Sequence, residues 1–83
     1  MRINLSVTLA DGKKEDVVCT APDLVRFEEK FNVSVAKLEN EMKLTHLFFL
    51  AHASLTRTKR TSLSFEDWLD TIEGIAPSEA DPK

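Results

Sequence analysis

The longest periodic segment of this chain, ENEMKLTHLFFLAHASLTRTK at residues 39–59, restricts its fold more than any other feature. Such a helix, apolar over most of its girth, is buried on several sides. A chain of 83 residues buries only about 60% of the surface of its unfolded form. The sequence therefore predicts that part of this helix meets a second chain. The residues that define and widen its apolar arc are Leu44, Leu47, Phe48, Phe49, Leu50, Ala51, Ala53 and Leu55.

The first twenty residues predict a β-hairpin. Residues 3–9 alternate between apolar side chains and small polar ones, which is the period of a half-buried strand. Asp11 and Gly12 follow as a tight-turn signal, and residues 15–20, EDVVCT, are rich in strand-forming residues. Because a hairpin alone is barely stable in water, we expect helices to cover its apolar side.

Residues 20–32, TAPDLVRFEEKFN, predict a helix. Pro22 suits the first helical turn and Asp23 favours the positive helix N-terminus. Asn32 accepts the left-handed conformation that ends many helices. Leu24, Phe27 and Phe31 form one apolar stripe at helical spacing. After this helix, Ser34 could cap a short helical turn that carries Val35 and Leu38 inward.

The segment SFEDWLDTIEGI at residues 64–75 predicts a last helix. Ser64 is a favourable N-cap with Asp67 three residues later, and acids in a first turn suit the helix dipole. Gly74 is expected to end the helix. The acids thus have a structural explanation, while the chain's one tryptophan belongs to an apolar stripe. That stripe consists of Phe65, Trp68, Leu69 and Ile72.

These segments predict an α+β fold, in which an N-terminal β-hairpin is followed by three to four helices packed as a small bundle against it. The single globular domain is expected to cover residues 1–75. Residues 76–83 have the proline and small polar residues of a flexible C-terminal tail.

Composition excludes several classes of function. A net charge of −3, with both signs spread along the chain, argues against a nucleic-acid binder. The run Leu47–Ala51 is far shorter than the ~20 apolar residues of a membrane span. The N-terminus lacks the apolar core of a signal peptide. Cys19 has no partner for an internal disulfide and fits a reducing, intracellular compartment.

No group of residues predicts catalysis, a metal or a cofactor. Asp70 and Glu73 would share a helix face that could bind a cation, but a solvated acidic face is the favoured interpretation. His46 and His52, six residues apart, point roughly 240° from each other on a helix and cannot share a metal. His52 is expected to be a hydrogen-bonded histidine at an interface. Cys19 lies beside valines and is expected to be a small buried residue.

The sequence RTKR at residues 57–60 is the only dense basic patch. A solvated helix end is its usual meaning, since cations complement the negative helix C-terminus. Alternatively, the patch meets the acidic C-terminal helix of the same or a neighbouring chain. Two glycines do not provide a phosphate-binding loop, so nothing here predicts an enzyme.

The order of these features resembles the small tail assembly chaperones of long-tailed (siphovirus-type) bacteriophages of actinobacteria and related hosts. The resemblance covers about residues 5–75. The chain departs from the expected pattern at Phe49 and His52, where tryptophans would be expected. The resemblance is carried by VTLADGKKEDVV, DLVRFEEKFNVSV, LTHLFFLAHASLTR and SFEDWLDTIEGI.

The resemblance implies a non-enzymatic oligomer that acts in the cytoplasm of the infected bacterium. It would bind the long, apolar tape measure protein and keep it soluble while tail-tube subunits polymerise around it, and it would be absent from the finished virion. A longer form made by ribosomal frameshifting could extend the tail after Ile75. The expected partner-binding residues are Leu47, Phe48, Leu55, Trp68 and Leu69.

Two alternative functions stay open on the sequence alone. One is a small structural phage protein, such as a head–tail connector or a capsid accessory protein. The other is a small inhibitor or regulator that docks on a host protein by charge. A chaperone would co-purify with the tape measure protein, whereas a structural component would be found in virions and an inhibitor would bind a host protein.

Overall fold

Three strands and three helices make up residues 3–32 and 43–78, the part of the chain that this computed structural model describes. The strands form one antiparallel sheet of order β2–β1–β3. The predicted α+β class is therefore confirmed. The helical turn predicted at Ser34 and the end of the predicted tail, residues 79–83, lie outside the described residues. The elements are β1 (Ile3–Leu9), β2 (Lys14–Cys19), α1 (Ala21–Phe31), α2 (Leu44–Arg57), α3 (Phe65–Leu69) and β3 (Ile72–Pro77).

The predicted hairpin is present as β1 and β2. Gly12 has φ of 94°, and its N–H donates to the Leu9 carbonyl at 2.9 Å. The Asp11 carboxylate accepts from the Lys13 N–H at 2.9 Å, so the turn is closed by its own residues. The alternating pattern sets the register, because one side of the hairpin is buried. The fully buried side chains on that side are Leu5, Val7, Val17 and Cys19.

The hairpin is only part of the sheet, because β3 pairs with the other edge of β1. This corrects the prediction of a helix through residue 75. The last helix ends at Leu69, where the Thr71 hydroxyl donates to the Trp68 carbonyl at 2.7 Å. Gly74 therefore lies in a strand, opposite Thr8, and does not end a helix. Pairing with β1 supplies backbone hydrogen bonds that an unpaired edge would lack.

Strand β3 also sets the end of the described fold. Ala76 and Pro77 pair with Ser6 and Leu5, two residues beyond the domain boundary predicted at residue 75. The N–H of Ser78 donates to the Asn4 carbonyl at 2.8 Å.

The start and end of α1 follow from its sequence signals. The N–H of Thr20 donates to the Asp23 carboxylate at 3.0 Å, which fixes the first turn. Asn32 adopts φ of 55° and ends the helix, and its N–H donates to the Glu28 carbonyl at 2.8 Å. The apolar stripe faces inward, with Leu24 and Phe27 buried and Phe31 half-buried. These predictions are confirmed.

Helix α2 contacts every other described element. Its apolar side chains pack against the buried side of the sheet, against α1 and against α3. Burial on several sides, predicted from its composition, is thus confirmed, but the chain's own elements supply most of the cover. The buried residues of α2 are Leu47, Leu50, Ala51, Ala53, Ser54 and Leu55.

Two ion pairs attach the end of α2 and the following loop to the N-terminal half. The Arg57 guanidinium donates from Nε and Nη2 to both oxygens of the fully buried Asp23, at 3.0 and 2.9 Å. Arg60 donates to the Glu15 carboxylate at 2.7 Å and to the Asp16 carbonyl at 3.2 Å. Among the described residues, the basic patch therefore pairs with β2 and α1. The suggestion that it meets the acidic C-terminal helix is wrong within the chain, because these nearer carboxylates occupy it.

We expect Asp23→Asn to lower the free energy of unfolding by about 2–3 kcal/mol. The amide has one acceptor oxygen and no charge, so Arg57 loses its bidentate partner in a partly buried site. Urea unfolding followed by circular dichroism measures the change. Glu29→Gln, an exposed change on the same helix, is the control. Equal stability of the two variants would contradict the importance of this ion pair.

Candidate interaction surface

The structure divides the five predicted partner-binding residues into two groups. Leu47, Leu55 and Trp68 lie in the core and are 5%, 1% and 3% exposed. They are inaccessible to a partner in this fold. Phe48 and Leu69 are half-buried and pack against the core from its edge. A partner could therefore reach Phe48 and Leu69, while the other three support them from below.

What we call the apolar patch consists of Phe48 and Phe65, whose rings contact Trp68, and Leu69, which follows Trp68 in the chain. The Phe48 ring meets the Trp68 ring edge-on, with centroids 6.2 Å apart, and the Phe65 ring stacks on Trp68 at 6.3 Å. All three patch residues are partly exposed. Leu63, beside this cluster in the chain, is 42% exposed. Helices α2 and α3 thus present aromatic and aliphatic surface over one buried indole.

Local hydrogen bonds hold α3 in place. Five residues are too few for a helix to persist in water by itself. The Ser64 hydroxyl accepts from the Asp67 N–H at 3.2 Å, so the predicted N-cap is confirmed. Nε2 of His52 lies 2.8 Å from the Leu63 carbonyl and joins α2 to the loop before α3. His52 is therefore hydrogen-bonded at an interface within the chain.

The segment of the chain that carries Phe65 and Leu69 is acidic. Residues 61–78 contain four of the chain's 14 Asp and Glu residues and none of its 11 Lys and Arg residues. All four acids are exposed. The two ion pairs between described residues lie elsewhere. Asp70 occupies the C-cap position of α3 and Glu73 lies in β3, so the predicted shared helix face for a cation is not formed. The four acids are Glu66, Asp67, Asp70 and Glu73.

A second group of rings continues from the patch toward α1. Phe49 lies 6.5 Å from Phe65 and 5.4 Å from Phe31, measured between ring centroids. His46 meets Phe27 and Phe31 edge-on at 5.0 and 4.8 Å. Its Nδ1 is buried and has no hydrogen-bond partner within the described residues. His46 and His52 therefore sit in different surroundings on α2.

The titratable groups with shifted pKa values have structural roles. Burial, and secondarily the charge of Asp23, raises the pKa of the Cys19 thiol from 9.0 to about 12. The Cys19 thiol donates to the Leu50 carbonyl at 3.3 Å. A protonated, buried thiol is a poor nucleophile, so the predicted small buried residue is confirmed. The hydrogen bonds with Asp23 raise the pKa of Arg57 above its ordinary value.

Among the described residues, no three side chains of His, Cys, Asp or Glu come together in a group that could hold a metal ion. None of the helices within residues 3–32 and 43–78 has the length and apolar character needed to cross a bilayer.

Sequence reasoning missed part of this surface. It assigned Phe65 to a packing stripe and the flanking acids to the helix dipole. The sequence signal that could have revealed the acidic character of this region is the run from Thr61 to Ser78, which has acids but no basic residue. Burial of Leu55 and Trp68 could not be read from the sequence, because it depends on how the elements pack together.

Comparisons with protein-family models, curated proteins and solved structures find no match to this chain.

We expect the stability of the folded chain to fall above pH 9 because of Cys19. Below pH 9 the thiol is protonated in both states. Between pH 9 and 12 the unfolded chain releases the proton and the folded chain keeps it, so the free energy of unfolding falls by about 1.4 kcal/mol per pH unit. Urea unfolding at several pH values measures this slope. The Cys19→Ala variant should lack this contribution. Plots of the free energy of unfolding against pH that run parallel for the two proteins would contradict the prediction.

Trp68→Ala and Leu69→Ala should differ in their effects on stability. Trp68 fills the core, so its truncation should lower the free energy of unfolding by about 3–5 kcal/mol. Leu69 is half-buried and should cost about 1 kcal/mol. Chemical unfolding followed by far-UV circular dichroism compares them. A larger loss for Leu69→Ala would show that the patch is part of the core and not a free surface.

Proposed function

We propose that this protein is a tail assembly chaperone of a long-tailed bacteriophage that binds and solubilises the tape measure protein. The single observation that carries the proposal is the apolar patch on α2 and α3. It lies on LTHLFFLAHASLTR and SFEDWLDTIEGI, two of the four segments that carry the resemblance to this group of chaperones. The chain acts in the cytoplasm of the infected bacterium, as a homo-oligomer, with tail-tube subunits as further possible partners.

The patch suits reversible cover of an apolar helix. Phe48, Phe65 and Leu69 offer apolar surface that loses water when a partner docks. Trp68 lies beneath them in the core, so the surface is rigid before binding and less order has to be gained on binding. Exposed acids around the patch keep the complex hydrated while the apolar side of the partner is hidden.

Phe48 and Leu69 are the direct contacts of the proposed function. Leu47, Leu55 and Trp68 support it through the core and would act on binding only by changing the shape of α2 and α3. This division refines the set of partner-binding residues predicted from the sequence.

Co-expression with the tape measure protein of a long-tailed bacteriophage tests the proposal. We expect the chain to raise the soluble fraction of the tape measure protein and to co-purify with it. Phe48→Ser combined with Leu69→Ser should abolish this effect. Val25→Ser on α1, where Val25 is 51% exposed, is the matched control and should not. Solubility that is the same with and without the chain would overturn the proposal.

Purified virions provide an independent measurement. A chaperone is expected to be missing from them by mass spectrometry, although it is abundant in the infected cell. Recovery of the chain in virions at a fixed ratio to a tail or capsid protein would instead identify a structural component.

A further inference from the structure

The apolar patch lies on helices, and the edges of the sheet are poorly available to a partner strand. Along β2 the Val18 carbonyl accepts from the Ser54 hydroxyl at 2.9 Å. The Asp16 carbonyl, two residues earlier, accepts from Arg60 at 3.2 Å. Side chains of the helical layer thus occupy the carbonyls that an added strand would need.

The edge at β3 is protected in a different way. Gly74 and Pro77 interrupt it, and the pairing with β1 shifts register between Thr8 and Leu9. Proline lacks the N–H that a further strand would accept from, and irregular pairing bends an edge away from a flat template. A partner is therefore received by the helical surface, where an apolar helical stripe matches the patch.

The charge around the patch specifies that helix further. Every charged residue from Thr61 to Ser78 is acidic, and three of the four acids lie within two positions of a patch residue in the chain. Glu66 directly follows Phe65, Asp67 lies two positions from both Phe65 and Leu69, and Asp70 directly follows Leu69. A partner with acids beside its apolar stripe would be repelled, and so would a nucleic acid or an anionic membrane. A partner with Lys and Arg there would be attracted.

We propose that the apolar patch binds an amphipathic helix whose apolar stripe is flanked by lysine and arginine. This inference rests on the proposed function in one respect, because the proposed function identifies the bound helix as a segment of the tape measure protein. The apolar and basic character of that helix is inferred from the patch and the acids. The apolar contact at Phe48 and Leu69 provides affinity. The exposed acids on α3 and β3 select the partner and its orientation.

Synthetic helices without tryptophan test the inference, because Trp68 is the one tryptophan of the chain and lies under the patch. Three peptides of equal length are compared: a Leu/Phe stripe with Lys flanks, the same stripe with Glu flanks, and Lys flanks with the stripe replaced by Ala and Gln. The first should shift Trp68 fluorescence. It should bind at least about tenfold more tightly than either of the others, and less tightly at high salt.

Charge reversal on the protein provides the matched control. Glu66→Lys combined with Asp70→Lys should weaken binding of the Lys-flanked peptide and improve binding of the Glu-flanked one. Glu29→Lys on α1 should change neither. Circular dichroism checks that each variant is folded. Equal affinity for the two apolar peptides, or a charge reversal without effect, would overturn the inference.

Sedimentation of the free protein separates a second copy from a foreign helix. If Leu69→Ser dissociated a dimer, and if peptides bound only to the monomer and without charge preference, the patch would be a self-interface and the inference would be wrong.

The outcomes of these experiments also separate the inference from the proposed function. A charge-selective peptide complex without solubilised tape measure protein would leave the inference and overturn the proposed function. Solubilised tape measure protein, together with peptide binding that shows no charge preference, would support the proposed function and overturn the inference.

Discussion

The bidentate ion pair between Asp23 and Arg57 is the contact on which the arrangement of the other elements depends. Asp23 is fully buried, and its carboxylate also accepts from the Thr20 N–H. A buried carboxylate without a partner is costly, so the corner between β2 and α1 is stable only when the C-terminal end of α2 is docked there. One contact thus fixes the first turn of α1, the end of β2 and the position of α2, across 34 residues of sequence.

Docking of α2 explains why so short a chain hides most of its long apolar helix. The sheet covers one side, α1 a second and α3 a third, which leaves Phe48 and Phe49 partly exposed and Leu44, predicted on the apolar arc, 63% exposed at the start of the helix. The apolar surplus expected from composition is therefore reduced to a small surface. A partner that binds by apolar contact therefore reaches the edge of the core and not its centre. The closely packed core beneath determines the shape of that edge.

Much of the fold could be predicted because its signals are local. The Asp11–Gly12 turn, the Asn32 end of α1 and the Ser64 N-cap each act within a few residues of themselves. Strand β3 could not be predicted, since residues 70–75 match a helical continuation and their strand conformation depends on an edge of β1 more than sixty residues earlier. The prediction of the partner-binding residues was limited for the same reason. Helical spacing identified Trp68 and Leu69 as apolar neighbours, but which of them is covered depends on non-local packing.

The third strand also determines the electrostatic character of the surface. A helix through residue 75 would have placed Asp70 and Glu73 on one face, where two carboxylates can share a cation. Because the chain turns at Thr71 and enters β3, α3 is limited to five residues and the two acids are separated onto different elements. They point into solvent as single charges beside apolar side chains. The backbone pairing of β1 with β3 thus turns two carboxylates that a longer helix would have brought together into separate negative charges on the surface.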